Sequence, residues 1–297
     1  MRPALSTVFA SVRQGGDGAL APSAIVDACL RAGASGVVLD GALQPALYEP
    51  LVHELERRGD ELPVLAIEAP GPTATRPGAR APALTASDRD EARAALDAAV
   101  VQMRRAGELR APFVVVRLGD VEPVAADWTF ARDQFLRGAL EPSLAQRMMA
   151  ARDDAAERAV DGAVRALERL AREAERAGAV LLVRNRRRFV DLPTPRELDR
   201  LRAELSGAPI LPAADVPAAH LADVMGFAPM ALTLAAWADA PLWYWGDACG
   251  PVGALAPGRG IVDLAAARAS VKEHARLAFS PWSGLSVDEI VESMGQF

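Results

Sequence analysis

Residues 179–198 read AVLLVRNRRRFVDLPTPREL and contain one complete strand, loop and helix start. Ala179–Val183 is an apolar run of the length expected for a buried strand of a parallel sheet. Polar residues follow it, and Thr194-Pro195-Arg196-Glu197 then combines a helix N-cap, a proline at the first helical position and a capping-box glutamate. Ser286-Val287-Asp288-Glu289 has the same box pattern near the end of the chain. Both stretches predict helix starts.

The strand–loop–helix unit recurs along the whole sequence, because short apolar runs alternate with amphipathic stretches. The eight candidate strands are Leu5–Val12, Gly36–Leu39, Pro63–Ile67, Phe113–Leu118, Ala179–Val183, Pro209–Pro212, Leu242–Trp245 and Arg276–Phe279. This alternation is typical of a parallel sheet wrapped by helices. A length of 297 residues suits a closed barrel. We therefore predict a single α/β domain, residues 1–297, with the (β/α)₈ TIM-barrel fold.

The connecting stretches predict helices and two enlarged loops. Ser23–Ala32 and Ala46–Arg58 each place apolar residues on one face, and Ala150–Ala177 is the longest helical pattern. Two segments, at about 71–85 and 120–149, depart from the simple repeat after the third and fourth strands. Active sites of these barrels lie on the loops that follow the strands. Both segments are therefore expected to cover the barrel mouth.

Composition excludes several classes of protein. The net charge of −6 and pI near 5.3 oppose nucleic-acid binding, which depends on positive charge. No window has the unbroken apolar length of a membrane helix, and the short run at Leu5–Val12 is interpreted as a strand and not a signal peptide. Cys29 and Cys249 fit no disulfide or metal-binding spacing. We therefore expect a cytoplasmic protein with no nucleic-acid or membrane partner.

The residues at the ends of the predicted strands form a charged rim. They are Asp40, Glu68, Arg117, Arg184, Asn185, Asp215 and Asp247. Each one alone is explained by a solvated loop or a salt bridge within the rim. As a set, carboxylates and arginines together at a barrel mouth favour a small polar ligand that is sugar-like or anionic.

Two regions resemble the xylose-isomerase-like family of sugar phosphate isomerases and epimerases. Arg184-Asn185 followed by Pro193-Thr194 is similar to the family's fifth strand, where Glu-Asn precedes a loop and Pro-Thr. Pro257–Asp263 reads PGRGIVD and resembles the family's Pro-Gly-x-Gly-x-x-Asp loop before the seventh helix. The resemblance follows strand order over essentially the whole chain and implies the family's barrel fold.

Two weaker similarities lie on the sixth and seventh strands. Asp215 resembles the first residue of the family's Asp-x-x-His pair, but Ala218 stands three residues later and His220 is two residues late. Tyr244-Trp245-Gly246-Asp247 resembles the family's His-x-x-Asp, with tyrosine in place of histidine. The remaining histidines, His53 and His274, are predicted to lie within outer helices. His220 is predicted to begin the helix after strand six, where it is the candidate to replace the family histidine.

The resemblance implies a divalent-metal site that this sequence does not retain. Family members hold the ion with Glu, Asp, His and Glu from strands five to eight, and the ion polarises a substrate carbonyl. Of these ligands only Asp215 is present. Arg184 stands at a ligand position, where it removes an oxygen donor and adds a permanent positive charge. Ser280–Gly284 offers no final glutamate. We therefore predict no metal and no other cofactor, with Mn or Mg as the expected ion if this argument fails.

One hypothesis for the function is an isomerase or epimerase that works without metal. Glu68, Asp215 and Asp247 are then the candidate catalytic acid and base, and Arg117 or Arg184 supplies the charge stabilisation that the ion would give. This mechanism requires one carboxylate whose pKa is raised towards neutrality.

The alternative hypothesis is a catalytically inactive barrel that serves as a binding or scaffolding subunit. Arg117, Arg184 and Arg259 would then hold an anion or a partner, and Asn185 and Tyr244 are further candidates for ligand contact. A tyrosine that points into the barrel can stack on a sugar ring.

Two local patterns remain open to more than one interpretation. Arg186-Arg187-Arg188 suggests nucleic-acid binding, but its acidic surroundings favour a solvated loop or a phosphate contact. Trp243, Tyr244 and Trp245 alternate along one strand. If Tyr244 points inward, the two tryptophans pack under the helices.

Overall fold

The computed structural model describes residues 2–10, 20–41, 43–71, 83–124, 127–208, 210–249, 252–281 and 285–297. Within these residues the strands are β1 (Ala4–Ser6), β2 (Val37–Leu39), β3 (Val64–Ala69), β4 (Phe113–Val116), β5 (Val180–Arg184), β6 (Ile210–Asp215), β7 (Leu242–Trp245), β8 (Asp247–Cys249), β9 (Val252–Leu255) and β10 (Arg276–Phe279). Strands β1 to β7 and β10 are parallel and close into one barrel in chain order, and β8 and β9 form a separate antiparallel pair. The predicted (β/α)₈ barrel is confirmed.

Helices connect the strands around the outside of the barrel. They are α1 (Pro22–Arg31), α2 (Pro45–Arg58), α3 (Arg89–Glu108), α4 (Asp127–Leu136), α5 (Pro142–Ala155), α6 (Glu157–Ala177), α7 (Pro195–Glu204), α8 (Val216–Val224), α9 (Met230–Ala236), α10 (Leu264–Ala269) and α11 (Val287–Met294). Both predicted capping boxes are present, at Thr194 with Glu197 and at Ser286 with Glu289. Among the described helices, none combines the length and apolarity needed to cross a membrane.

The strand boundaries differ from the sequence prediction mainly at the carboxyl ends. β7 and β10 have the predicted bounds, whereas β5 and β6 continue to Arg184 and Asp215. Both charged residues keep their ladder positions, Arg184 opposite Ala213 and Asp215 opposite Tyr244. The first strand is shorter than predicted because a 3₁₀ turn begins at Thr7. Residues 11 and 12 of that prediction lie outside the described residues.

The segment after β4 is more regular than the sequence suggested. The predicted single helix Ala150–Ala177 is wrong: α5 ends at Ala155, and Ala156 separates it from α6. Arg152 near the end of α5 is fully buried and is bonded to Glu197 of α7 and to the carbonyl of Asp191. This anchor fixes the end of α5 against α7. Residues 72–82 of the other enlarged loop lie outside the described residues.

Alternation along the strands builds the barrel interior in layers. The inner layer contains small and branched apolar residues, namely Ala4, Val38, Ala66, Val115, Leu182, Ala213, Leu242 and Ala278, with Tyr244 packed on it. Since successive side chains of a strand face opposite sides, the residues two positions later point inward at the mouth. Those residues are Ser6, Asp40, Glu68, Arg117, Arg184, Asp215, Tyr244 and Ser280. The fold therefore gathers charged side chains from five strands above an apolar plug.

The same alternation determines which way the aromatic side chains of β7 point. Tyr244 belongs to the inner layer, whereas Trp243 and Trp245 pack with Ala214, Trp237 and other residues beneath the helices. The predicted division between the inward tyrosine and the outward tryptophans is confirmed.

Candidate functional site at the barrel mouth

Glu68 is the central acid of the mouth. Its side chain is 1% exposed and receives hydrogen bonds from three directions. Arg184 donates from Nη1 to Oε1 at 2.8 Å, the Tyr244 hydroxyl donates to the same oxygen at 2.8 Å, and Arg117 pairs with Oε2. Arg117 also lies 3.7 Å from Asp40 Oδ2. Glu68 is therefore the hub of a buried ion-pair network.

Arg184 joins the two halves of this network. Its Nε donates to Asp215 Oδ2 at 2.9 Å, and its Nη2 pairs with the same oxygen, while Nη1 reaches Glu68. The guanidinium carbon lies 3.7 Å from the centre of the Tyr244 ring, which is a cation–π arrangement. Arg184 thus projects into the barrel mouth, in the position at which the sequence places it.

Asp215 is fixed through its other oxygen and its backbone. Oδ1 accepts from the Ala218 amide at 2.9 Å and caps α8, so both carboxylate oxygens have donors. Asn185 pairs with the Asp215 backbone in both directions, donating to its carbonyl at 3.0 Å and accepting from its amide at 2.5 Å. Asn185 therefore joins β5 to β6 through its side-chain amide.

The electrostatics oppose proton transfer by Glu68. Burial by itself raises the pKa of its carboxyl, but Arg117, Arg184 and the hydrogen bond from Tyr244 outweigh burial and hold this pKa below its usual value. Burial and the neighbouring Glu68 raise the pKa of Tyr244 well above its usual value. A carboxylate that stays ionised and a phenol that stays protonated are not poised for acid–base exchange near neutral pH.

Asp247 and Arg259, two of the predicted site residues, lie outside this network. Asp247 lies three residues beyond the inward Tyr244. Its Oδ1 accepts from the amides of Ala248 and Val262, and its Oδ2 from those of Gly258 and Gly260, at 2.8–3.0 Å. Four backbone donors occupy the carboxylate, so it anchors the 257–263 loop. Arg259 is exposed and pairs with Glu292 of α11 at 3.0 Å.

The histidines are also placed away from the mouth network. His53 is exposed on α2, and His274 lies in an exposed turn before β10, so its assignment to a helix is wrong. His220 lies inside α8, which begins at Val216, four residues earlier than predicted, because Asp215 serves as its N-cap. His220 is buried, and its Nε2 has no hydrogen-bond partner among the described residues.

A cavity of about 510 Å³ opens beside the network. Its arginines come from β5, from the loops after β4 and β5, and from α4; they are Arg117, Arg132, Arg184, Arg186, Arg187 and Arg188. Trp128 of α4 and Asp191 also line it. A smaller hollow over Tyr244 and Asp215 shares Arg184 and Arg187 with it. Arginine is therefore the commonest residue type in the lining of the larger cavity.

Sequence reasoning assigned neither Arg132 nor Trp128 to the site, and it left the 186–188 run undecided. The position of these residues in the sequence was the one signal that could have identified them. Arg186–Arg188 follows β5 directly, and Trp128 and Arg132 share one face of a helix in the enlarged segment after β4. Loops after barrel strands are where ligand contacts concentrate.

The residues at the mouth do not fit the divalent ion that the family resemblance implies. The Arg184 guanidinium pairs with Asp215, the one implied ligand that this sequence keeps, and also with Glu68. In the described ranges, no three His, Cys, Asp or Glu side chains are grouped so that they could hold a metal. Residues 282–284 belong to the stretch in which the family resemblance implies the last ligand, and they lie outside the described residues.

Comparison with solved structures identifies the architecture. A D-tagatose 3-epimerase-like protein superposes with a TM-score of 0.68 at 13% identity, covering 100% of this chain and 95% of the other. A xylose isomerase assigned by similarity from Rhodospirillum rubrum gives 0.66 at 15% identity, covering 99% and 97%. The fold is that of the xylose-isomerase-like barrels. The 3-keto-D-glucoside 4-epimerase of E. coli is also similar, with a TM-score of 0.65 at 13% identity, covering 100% and 98%.

These similarities are structural only. No family model matches the sequence, and no curated protein matches it. The shared feature is therefore the xylose-isomerase-like fold, and the chemistry of the mouth has to be argued from this chain's own residues.

Proposed function

We propose that this protein binds a small, sugar-like polar ligand at the barrel mouth without a divalent metal at the family position, and that it does not perform metal-dependent isomerisation or epimerisation. The neighbouring structures are named as ketose and ketoglucoside epimerases and a xylose isomerase, which supports a sugar-like ligand. We prefer the inactive-barrel hypothesis over a metal-independent enzyme because Glu68, Asp215 and Asp247 are all engaged by other groups of the protein.

One observation carries this proposal: Arg184 bridges Glu68 and Asp215. The Nη1 to Oε1 distance is 2.8 Å and the Nε to Oδ2 distance is 2.9 Å. A guanidinium between two acids supplies the positive charge that they would otherwise seek from a cation. A dication placed there would also be repelled by a charge that no physiological pH removes. The positive charge of Arg184 therefore excludes a divalent cation from the space between Glu68 and Asp215.

A second line of support concerns the proton carriers. Epimerisation next to a carbonyl needs a base that takes a proton and an acid that returns it. Glu68 has a lowered pKa and three donors, and both oxygens of Asp215 are occupied by Arg184 and the Ala218 amide. Asp247 is committed to four backbone amides. None of the three predicted acids is free to exchange a proton with a ligand.

Solvent-exchange NMR tests the catalytic half of this proposal. D-Tagatose and D-fructose are incubated with the protein in D₂O, with and without Mn²⁺, and deuterium entry beside the carbonyl is followed. We expect no exchange above the rate in buffer alone under either condition. Exchange that depends on intact protein, with or without Mn²⁺, would contradict the proposal.

Thermal shift against a panel of neutral and acidic sugars tests the binding half. A ligand that binds only the folded state raises the unfolding temperature as its concentration rises. We expect stabilisation by at least one sugar-like compound in wild-type protein and a loss of that effect in R184M. If no compound of the panel raises the unfolding temperature, the result contradicts the proposal of a sugar-like ligand.

A further inference from the structure

We propose that Arg132, Arg186 and Arg187 form an anion-binding subsite in the cavity beside the central network, and that it receives a phosphate or carboxylate group of the ligand. This inference rests on the proposed function, which it deepens by naming the charged group of the ligand and the residues that recognise it. All three residues line the same cavity of about 510 Å³.

The arginines of this cavity fall into two sets. Arg117 and Arg184 pair with Glu68 and Asp215, and Arg188 pairs with Asp191 and Asp120. The acids Glu68, Asp120 and Asp215 are buried beneath the guanidinium groups. Asp191 is the one acid among the described residues that line the cavity, and the other charged residues of the lining are arginines, so the wall carries a net positive charge.

Arg132, Arg186 and Arg187 are not balanced in this way. Arg187 is exposed at the cavity and, in the described part of the chain, has no carboxylate partner. The described ion-pair contact of Arg132 is to its chain neighbour Asp133 at 3.4 Å, on the surface. Contacts between exposed charges at such a distance are weak. Both guanidiniums are therefore available to a ligand.

Arg186 gives the second, independent observation. It is 6% exposed, and its described hydrogen bonds are to the Phe189 carbonyl at 3.0 Å and to Met149 Sδ at 3.6 Å. Burial and the nearby Arg152 lower the pKa of Arg186 to about 10, while Glu197, Asp153 and Asp191 act in the opposite direction, so Arg186 stays charged at neutral pH. A buried cation without a carboxylate contact is costly. An anion in the adjoining cavity would relieve that cost.

The loop after β5, which carries Arg186 and Arg187, is held in place by contacts within the protein. Asp191 accepts from the Arg188 amide and from its Nε, both at 2.8 Å. The Phe189 ring stacks on Phe227 with centroids 4.4 Å apart. Backbone bonds tie the loop to the segment after β4, from Val121 to Val190 at 2.8 Å and from Leu192 to Gly119 at 3.0 Å. Because the loop is already ordered, ligand binding loses less conformational entropy.

The chemistry of guanidinium groups selects the class of ligand. Their planar donors match the oxygens of phosphate and carboxylate, often two at a time. The net charge of −6 disfavours a nucleic acid as the source of the phosphate. A small sugar phosphate or sugar acid fits the size of the cavity and the charge of its wall.

Calorimetric titration with four probes tests the subsite: glucose, glucose 6-phosphate, gluconate and inorganic phosphate, each at low ionic strength. Wild-type protein is compared with R187A, and with R172A as a control, because Arg172 is an exposed arginine of α6 outside the cavity. We expect glucose 6-phosphate or gluconate to bind at least about tenfold more tightly than glucose, the range of one charged hydrogen bond. R187A should lose that advantage, and R172A should retain it.

The outcomes separate the subsite from the proposed function. Equal binding of glucose and both anionic sugars, or equal affinities for R187A and R172A, would overturn the subsite while leaving sugar binding intact. Phosphate binding that depends on Arg187, without any gain from an attached sugar, would support the subsite and count against the sugar-like ligand. The comparison of gluconate with glucose 6-phosphate decides between the two anionic groups.

Discussion

Two groups of arginines lie within one barrel mouth and differ in what surrounds them. In the central network, Arg184 lies between Glu68 and Asp215 and forms ion pairs with both acids. On the loop after β5, Arg186 and Arg187 have no carboxylate contact among the described residues. Arginine therefore has two different effects in one barrel mouth. Where acids pair with it, it excludes a cation, and where no acid contacts it, it can bind an anion.

The largest expected effect comes from breaking the central network with R184M. This change leaves two buried carboxylates without their shared cation, which costs about 3–5 kcal/mol of unfolding free energy. Urea denaturation measures the loss. R259M is the matched control, because Arg259 pairs with Glu292 on the surface and should contribute about 0–1 kcal/mol. Similar losses in both variants would show that the network is not structural.

A smaller effect is expected from loosening the arginine loop with D191N. The Asp191 carboxylate accepts the Arg188 amide and two of its guanidinium nitrogens. Weakening these bonds should cost about 1–2 kcal/mol of unfolding free energy. The change also removes a negative charge from the cavity wall and releases Arg188, so it should raise the affinity for glucose 6-phosphate. D161N, which removes a surface acid paired with Arg200, should change neither quantity. A loss of stability with unchanged affinity would separate the loop from anion binding.

The smallest effect concerns acid stability. Burial alone raises the pKa of Glu68, but Arg117, Arg184 and Tyr244 bring it below 4.5, its value in the unfolded chain. The stabilisation is therefore complete above pH 4.5 and is lost as the pH falls through the folded-state pKa. We expect the unfolding free energies of wild type and E68Q to converge in acid. Denaturation curves at several pH values measure this, and a constant difference would argue against the ionised, paired Glu68.

Sequence reasoning predicted the strands well because each is a short apolar run flanked by polar residues. β7 and β10 have the predicted bounds. The capping boxes at Thr194 and Ser286 were equally readable, since both are local patterns with one geometric outcome. The break at Ala156 was not predictable, because it accompanies the long-range anchor between Arg152 and Glu197.

The site was predicted in part. Residue positions placed Glu68, Arg117, Arg184 and Asp215 at the mouth, and the structure brings these four together. The sequence could not show that they neutralise one another, because the pairing depends on distances across the barrel. Asp247 was assigned to the rim by its place in the chain, and Arg259 was named as an anion contact on the loop that follows. The β8–β9 pair diverts the chain after β7, so neither residue joins the central network.

Titration with Mn²⁺ tests the central claim most directly, using electron paramagnetic resonance of the free ion with wild type, R184M and R184E. We predict no stoichiometric site in wild type or R184M. R184E should gain one, because the introduced carboxylate joins Glu68 and Asp215 in place of the guanidinium. One tightly bound Mn²⁺ per wild-type chain, lost in D215N, would contradict the account.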